Sequence, residues 1–399
     1  MRTKLTASVS LLGVTLLLAG CDLDFRYLVP AAIGQFDLLR NSVPIDDAIA
    51  GGDLSEEQLA KLSLIRDVRA YAGQNLGLNI EGNYETFYNS HGDPVAFNVS
   101  ASRKYAFEPM VWTFPIVGTV PYLGYFDRSA AEEMVGNLQK LDFDTFMYEI
   151  DAYSSVGFLA NPVLSPMLDR DELDLADTVI HELLHSTVWR VNDTSFNESL
   201  ATFYGRRGAL SYFADRYPNE PERLDEATER FEDSDAYSDY LLEVYNELDD
   251  YFDSPDSEDA KIIGRETIYQ SARDRYWDDL APLLHDPDRY SWIGNLPTNN
   301  AWMLGVRRYN LELEAFDRVF MATGQDWGTS LGVFRAAAAS DDPYAYLDEY
   351  AGADATTRRL MEVAAEENHR LRSTSTSAAD QAQRGPCVCH QAQTLVATD

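Results

Sequence analysis

Apolar positions recur at helical spacing over residues 27–39 (YLVPAAIGQFDLL) and 56–72, which predicts two helices near the start of the chain. Over 83–120 the texture changes. Aromatic and β-branched residues alternate with polar ones, and Gly and Pro punctuate the run. Residues 111–117 (VWTFPIV) and 153–159 (YSSVGFL) predict strands, and 129–141 between them predicts a helix, giving a β-α-β-like run. From Asp174 onward helical periodicity dominates, over 174–191, 195–216, 221–252, 257–280, 300–323 and 342–371. The Pro-containing acidic stretch 253–259 predicts a turn. Residues 372–399 carry Ser, Thr, Ala and Gln without an aromatic and predict a disordered tail. No internal repeat is visible.

Composition narrows the partners. The 399 residues include 66 acids against 32 bases, a formal net charge of −34, which excludes a phosphate-gripping nucleic-acid binder. It also excludes a polybasic hold on anionic lipid. Three Cys form no disulfide framework. The N-terminus is informative in another way. Arg2 and Lys4 precede an apolar run, 5–18, too short to span a bilayer comfortably, and the run ends in Leu18-Ala19-Gly20-Cys21. Small residues followed directly by Cys resemble a bacterial lipobox. The resemblance implies removal of residues 1–20, a lipid on Cys21, and a mature chain facing the periplasm from a membrane surface. Asp22 after the Cys resembles an inner-membrane retention signal of enteric bacteria, which leaves the leaflet open.

The chemistry lies in His181-Glu182-Leu-Leu-His185. Residues i and i+4 share a helix face, so both imidazoles can reach one ion, and Glu182 stands beside it as a general base. Asp174 is the expected cap of this helix, with Asp177 three residues on. A hydrolytic zinc site takes three protein ligands and keeps one position open. Glu198 is the candidate third ligand, on a new helix capped by Asp193 or Thr194; Glu172 and Asp193 compete less well. Twelve residues separate His185 from Glu198. The oxyanion of peptide hydrolysis needs one donor besides the metal, and Tyr153 and Tyr309 are the candidates. Cys387-Val-Cys389-His390 in the tail lacks a good zinc spacing and reads as inert.

Several stretches together resemble the zinc aminopeptidases found as lipoproteins in proteobacteria: 31–39 (AAIGQFDLL), 112–126 (WTFPIVGTVPYLGYF), 152–164 (AYSSVGFLANPVL), the HELLH helix with 193–198 (DTSFNE), and 299–301 (NNA) with Tyr309. The resemblance covers roughly residues 27–345 and implies a two-His-one-Glu metallopeptidase. Relatives carry Cys at the positions of Thr113 and Thr119 and Arg at that of Leu123; Leu184 and Ser186 also depart from the common pattern. Glycine–methionine–glutamate-type signals for binding a free amine are absent, so the residues support a metallopeptidase better than they support exo- over endo-cleavage.

The expectation is therefore an α+β, zincin-like chain. A small mixed sheet packs on the HExxH helix, an α/β part runs to about 170, and a mostly helical part extends to 371. The expected activity is that of a membrane-anchored, zinc-dependent aminopeptidase acting on peptide or protein substrates. The alternatives are a zinc endopeptidase and a non-catalytic envelope lipoprotein that uses such a scaffold to bind a partner. Metal-dependent hydrolysis of a non-peptide substrate is a more distant reading.

Overall fold

The computed structural model describes residues 25–114, 118–150, 152, 161–309 and 313–365. The calls on Cys21, Tyr153, strand 153–159 and the Cys387–His390 segment lie outside them. The described residues form two compact units, divided after Leu313.

The first unit opens with α1 (Phe25–Asn41), a short β1 (Val43–Pro44), α2 (Ile45–Gly51) and α3 (Glu56–Gln74). Ser55 and Gln58 close a reciprocal capping box that fixes the start of α3. Three small sheets follow. β2 (Thr86–Tyr88) pairs antiparallel with β1 and parallel with β8 (Val163–Leu164), a mixed sheet. β4 (Trp112–Phe114) and β5 (Gly118–Val120) form a two-stranded ribbon in which Thr113 faces Thr119. Their hydroxyls lie 3.1 Å apart, a hydrogen bond across the ribbon. The largest sheet is β6-β3-β7, with β3 (Ala96–Arg103) central and antiparallel to both β6 (Leu123–Tyr125) and β7 (Phe143–Ile150).

The β-α-β-like run is present with different strands. β6 and β7 both run antiparallel to β3 and hence parallel to each other, and α4 (Arg128–Lys140) connects them. On β3, Phe97, Val99 and Ala101 face one way and join Ala131 and Leu138 of α4 in a buried cluster. The alternate residues Asn98, Ser100 and Ser102 face the other way. Asn98 pairs across the strand with Tyr148, and its Nδ2 donates to the Tyr148 hydroxyl at 2.9 Å. That polar face looks toward the site.

After residue 171 the unit is helical: α5 (Glu172–His185), α6 (Thr194–Arg216), α7 (Pro221–Phe252), α8 (Glu258–Arg275) and α9 (Asn300–Tyr309), with short helical turns over 276–295. The acidic turn separates α7 from α8 as expected, and Ser257 caps α8. α5 starts earlier than its expected cap, because Asp171 and not Asp174 accepts the first-turn N–H. It also ends at His185 instead of running to 191. The principal neighbours of α5 are α6 and α3, whereas the β3–β7 sheet packs on α4 and α9.

α5 and α6 approach closely where α6 carries Gly205 and Gly208. A Cβ on Gly205 would stand 2.1 Å from Asp177 Oδ1 and 2.9 Å from the Asp177 carbonyl oxygen. Gly205→Ala is therefore expected to push the two helices apart at a cost of about 1–3 kcal/mol, as overpacking generally does. Denaturant unfolding measures that cost.

α9 is held at its N-terminus. Asn300 is fully buried; its N–H donates to Asp144 at 2.8 Å, and its amide donates to the Arg103 carbonyl at 2.9 Å. Asp144 in turn receives two hydrogen bonds from the buried Arg265.

The second unit contains α10 (Leu313–Ala322) from Glu314 onward, α11 (Trp327–Ala339), α12 (Pro343–Gly352) and a helical stretch over 355–365. Phe316, Val319, Phe334 and Leu347 are fully buried in it. Of the helix expected over 300–323, residues 300–309 and 313–322 are helical and 310–312 lie outside the described residues; α11 was not foreseen. Among the described residues, no helix is long and apolar enough to cross a membrane.

Candidate active site

α5 and α6 bring three donors together. His181 and His185 sit one turn apart, their ring planes at 84° and their Nε2 atoms 3.2 Å apart. Glu198 Oε2 lies 3.3 Å from His181 Nε2 and 3.5 Å from His185 Nε2. Bonds of about 2.0–2.1 Å in a tetrahedron put neighbouring ligand atoms about 3.3–3.4 Å apart. The triangle of donors thus fits one face of a tetrahedral zinc site, with the opposite corner left over. Among the described residues this is the one group of three or more His, Cys, Asp or Glu placed to hold a metal.

The loop between the helices explains the short spacing. Asn197 clasps the backbone of Arg190 in both directions, accepting its N–H at 2.8 Å and donating to its carbonyl at 2.8 Å. Asp193 caps α6 by accepting from Phe196 N and also pairs with Arg190 at 3.0 Å. Asn192 turns the chain with φ 65° and accepts from Thr119 N at 2.8 Å. Twelve residues are enough because this clasp folds α6 straight back over α5. The rival ligands are committed elsewhere: Asp193 to its cap, and Glu172 to Tyr217 and Arg223.

Electrostatics separate the two glutamates. Burial pushes Glu198 up, but the charges and hydrogen bonds of His185 and His181 outweigh it and hold the carboxyl well below its ordinary range. Burial raises the pKa of Glu182, and the two imidazoles only partly offset this. The surroundings of the two carboxyls thus push them in opposite directions. The His185 ring meets Trp189 edge-on at 5.8 Å, while its buried Nδ1 has no hydrogen-bond partner among the described residues.

Tyr309, at the end of α9, comes into the site. Its ring is 6.1 Å from that of His181, and its hydroxyl bonds with Tyr148. The charge of Glu198, then burial, raises its pKa well above the usual phenol value, so it stays protonated. Ser199 Oγ donates to the Arg308 carbonyl at 3.3 Å and pins this end of α9 to α6. Buried Arg308 stacks over Tyr122, 5.3 Å from its ring centre. Tyr122, Tyr148 and Asn98 were not foreseen. Tyr148 lies on a strand with no clear periodicity, and Tyr122 was one Tyr among 23.

Two cavities meet at this centre. One, of about 370 Å³, is largely apolar; Ala31, Phe114, Val120, Phe126 and Trp189 line it beside His185 and Glu198. The other, of about 720 Å³, is polar, with Arg170, Asp174, Arg206, Arg230 and Arg289 on its walls beside His181. Glu182 and Tyr309 border both. In the polar cavity Asp174 pairs with Arg230 and Arg289. Asp177 forms no salt bridge among the described residues; burial pushes its carboxyl up to about 6, against the charges of His181, Arg206 and Arg170 nearby. Sequence reading noted Asp177 only as a first-turn acid.

No curated protein and no solved structure matches the chain. A family model does, over residues 26–345, and its description is Putative aminopeptidase. That stretch contains α5, α6 and α9 with every residue of the site just described, and the chain belongs to the Putative aminopeptidase family.

Proposed function

We propose that the protein is a zinc-dependent peptidase of zincin type, held on a bacterial membrane by a lipid on Cys21 and facing the periplasm. The observation that carries this reading is the near-equilateral triangle of His181, His185 and Glu198 donors. Zinc held by these three residues would supply Lewis acidity and a bound water of lowered pKa.

The protein's own groups do the rest. Glu182 accepts a proton from the attacking water as the oxygen adds to the peptide carbonyl carbon. It then delivers that proton to the amine nitrogen as the C–N bond breaks. Its raised pKa brings it toward the operating pH and suits both halves of the shuttle. Tyr309, protonated and oriented by Tyr148, donates to the carbonyl oxygen as negative charge develops there. Tyr309's ring stands beside His181, which supports this role for it; Tyr153, the other candidate, lies outside the described residues.

An aminopeptidase must also hold the substrate's free ammonium. Asp177 lines the polar cavity one helical turn before His181, and among the described residues no salt bridge holds its carboxylate. An ammonium there replaces solvent by a charge-assisted bond worth about 1.5–3 kcal/mol. Asp177→Asn is expected to raise KM for free-amine peptides about tenfold or more with a smaller change in kcat. Steady-state kinetics on paired free and N-acetylated peptides would show it. A second reading, endopeptidase action, draws support from the 720 Å³ of the polar cavity, which has room for more than one residue. Equal cleavage of free and acetylated peptides would select it.

Metal removal separates these readings from a scaffold role. His185→Ala removes one corner of the triangle, and with it zinc and hydrolysis are both expected to disappear. Elemental analysis of the purified variant, beside a peptide assay, checks this.

A further inference from the structure

α1 has two apolar faces. Tyr27, Ala31 and Gln35 point inward and line the apolar cavity, and Leu38 is buried below them. The attachment is tight: the Tyr27 hydroxyl donates to the Gly124 carbonyl at 3.0 Å, and the Phe126 ring lies directly on the helix backbone at Gly34. A Cβ on Gly34 would stand 2.3 Å from that ring. The opposite face carries Val29, Ile33 and Phe36 at i, i+4 and i+7, which are 49%, 56% and 63% exposed. These positions fall within one arc of about 60°. Residues 25–44 contain one acid, Asp37, in a chain with 66. An apolar stripe that ends in the exposed Arg40, on a helix whose other face is fixed to the protein, is the pattern of an interfacial helix.

We infer that the outward face of α1 lies in the interface of a phospholipid bilayer and sets the apolar cavity against the membrane. The inference rests on the reading that Cys21 carries the lipid. Three residues separate Cys21 from Phe25, so the start of α1 stays within about 14 Å of the lipidated residue at full extension. The helix is at the bilayer wherever the rest of the chain points. The lipid supplies the attachment, and the stripe fixes the orientation. Peptides whose apolar residues reach the small cavity would then be met at the membrane surface.

The test uses the full lipidated chain in phosphatidylethanolamine–phosphatidylglycerol vesicles. Cys387 and Cys389 are replaced by Ser, and an environment-sensitive fluorophore is attached at Ile33→Cys or, as a control, at Ile263→Cys, a position 75% exposed on α8. On floated protein the label at 33 should brighten severalfold and shift to the blue, while that at 263 stays as in water. Floated protein with the same aqueous emission at both sites overturns the inference and leaves the anchor standing. Protein that does not float overturns the anchor reading and the inference with it. As a second measurement, Ile33→Asp with Phe36→Asp should leave hydrolysis of soluble peptides unchanged and lower that of vesicle-bound peptides severalfold. Equal rates on both substrates would count against it.

Discussion

Glu182→Gln is expected to keep the bound zinc and lower kcat by about 10²–10⁴, the usual contribution of a positioned general base. The expectation follows from where Glu182 stands. It shares α5 with both His ligands, borders both cavities, and is raised in pKa by burial, whereas Glu198 is held down by the two imidazoles. Gln fills the same volume and leaves the triangle of donors untouched, so metal content should be unchanged. What goes is the acceptor for the water's proton and its donor to the leaving amine. Loss of zinc in this variant would move Glu182 from proton carrier to ligand. Undiminished kcat would remove it from the mechanism.

The second large effect lies away from the metal. Asp144→Ala is expected to destabilise the protein by about 3–5 kcal/mol, the cost of leaving one partner of a buried ion pair uncompensated. The Arg265 and Asp144 side chains are only 6% and 9% exposed, and the Arg265 Nε has no further acceptor among the described residues. Asp144 also receives the backbone N–H of Asn300, the first residue of α9. The variant thus strips the anchor from the N-terminus of the helix whose last residue, Tyr309, stands beside His181. A fall in kcat should accompany the loss of stability. Denaturant unfolding gives the first quantity and peptide hydrolysis the second. A variant as stable as the parent would show that α9 is held by its apolar packing alone.

The parts of the site that were legible in the sequence are those that local spacing dictates. Two His at i and i+4 with an intervening Glu need nothing beyond one helical turn, and the bounds of α7, 221–252, followed from periodicity and flanking turns. Glu198 was legible as a type of residue on a capped helix. Its arrival over the imidazoles depended on Asn197 clasping Arg190, which no pattern announces. The end of α5 was misplaced because residues 186–191 keep apolar spacing, while Thr187 folds back on the Leu183 carbonyl to start the turn. β7 escaped notice because FDTFMYEI has no clean alternation: only Phe143 and Asp144 are buried, and Asp144 is a charge held by Arg265. α11 is rich in Ala and Gly and carries little contrast between its faces. Tyr122 and Tyr148 reach the site from elements distant in sequence, so their place in it became visible only in three dimensions.

The most direct test of the central claim is zinc stoichiometry measured together with chelator-reversible hydrolysis. The purified chain should carry about one zinc per molecule, lose peptide hydrolysis when a chelator removes it, and regain activity when zinc is returned. Hydrolysis that persists in metal-free protein, or a folded chain that takes up no zinc, would contradict it.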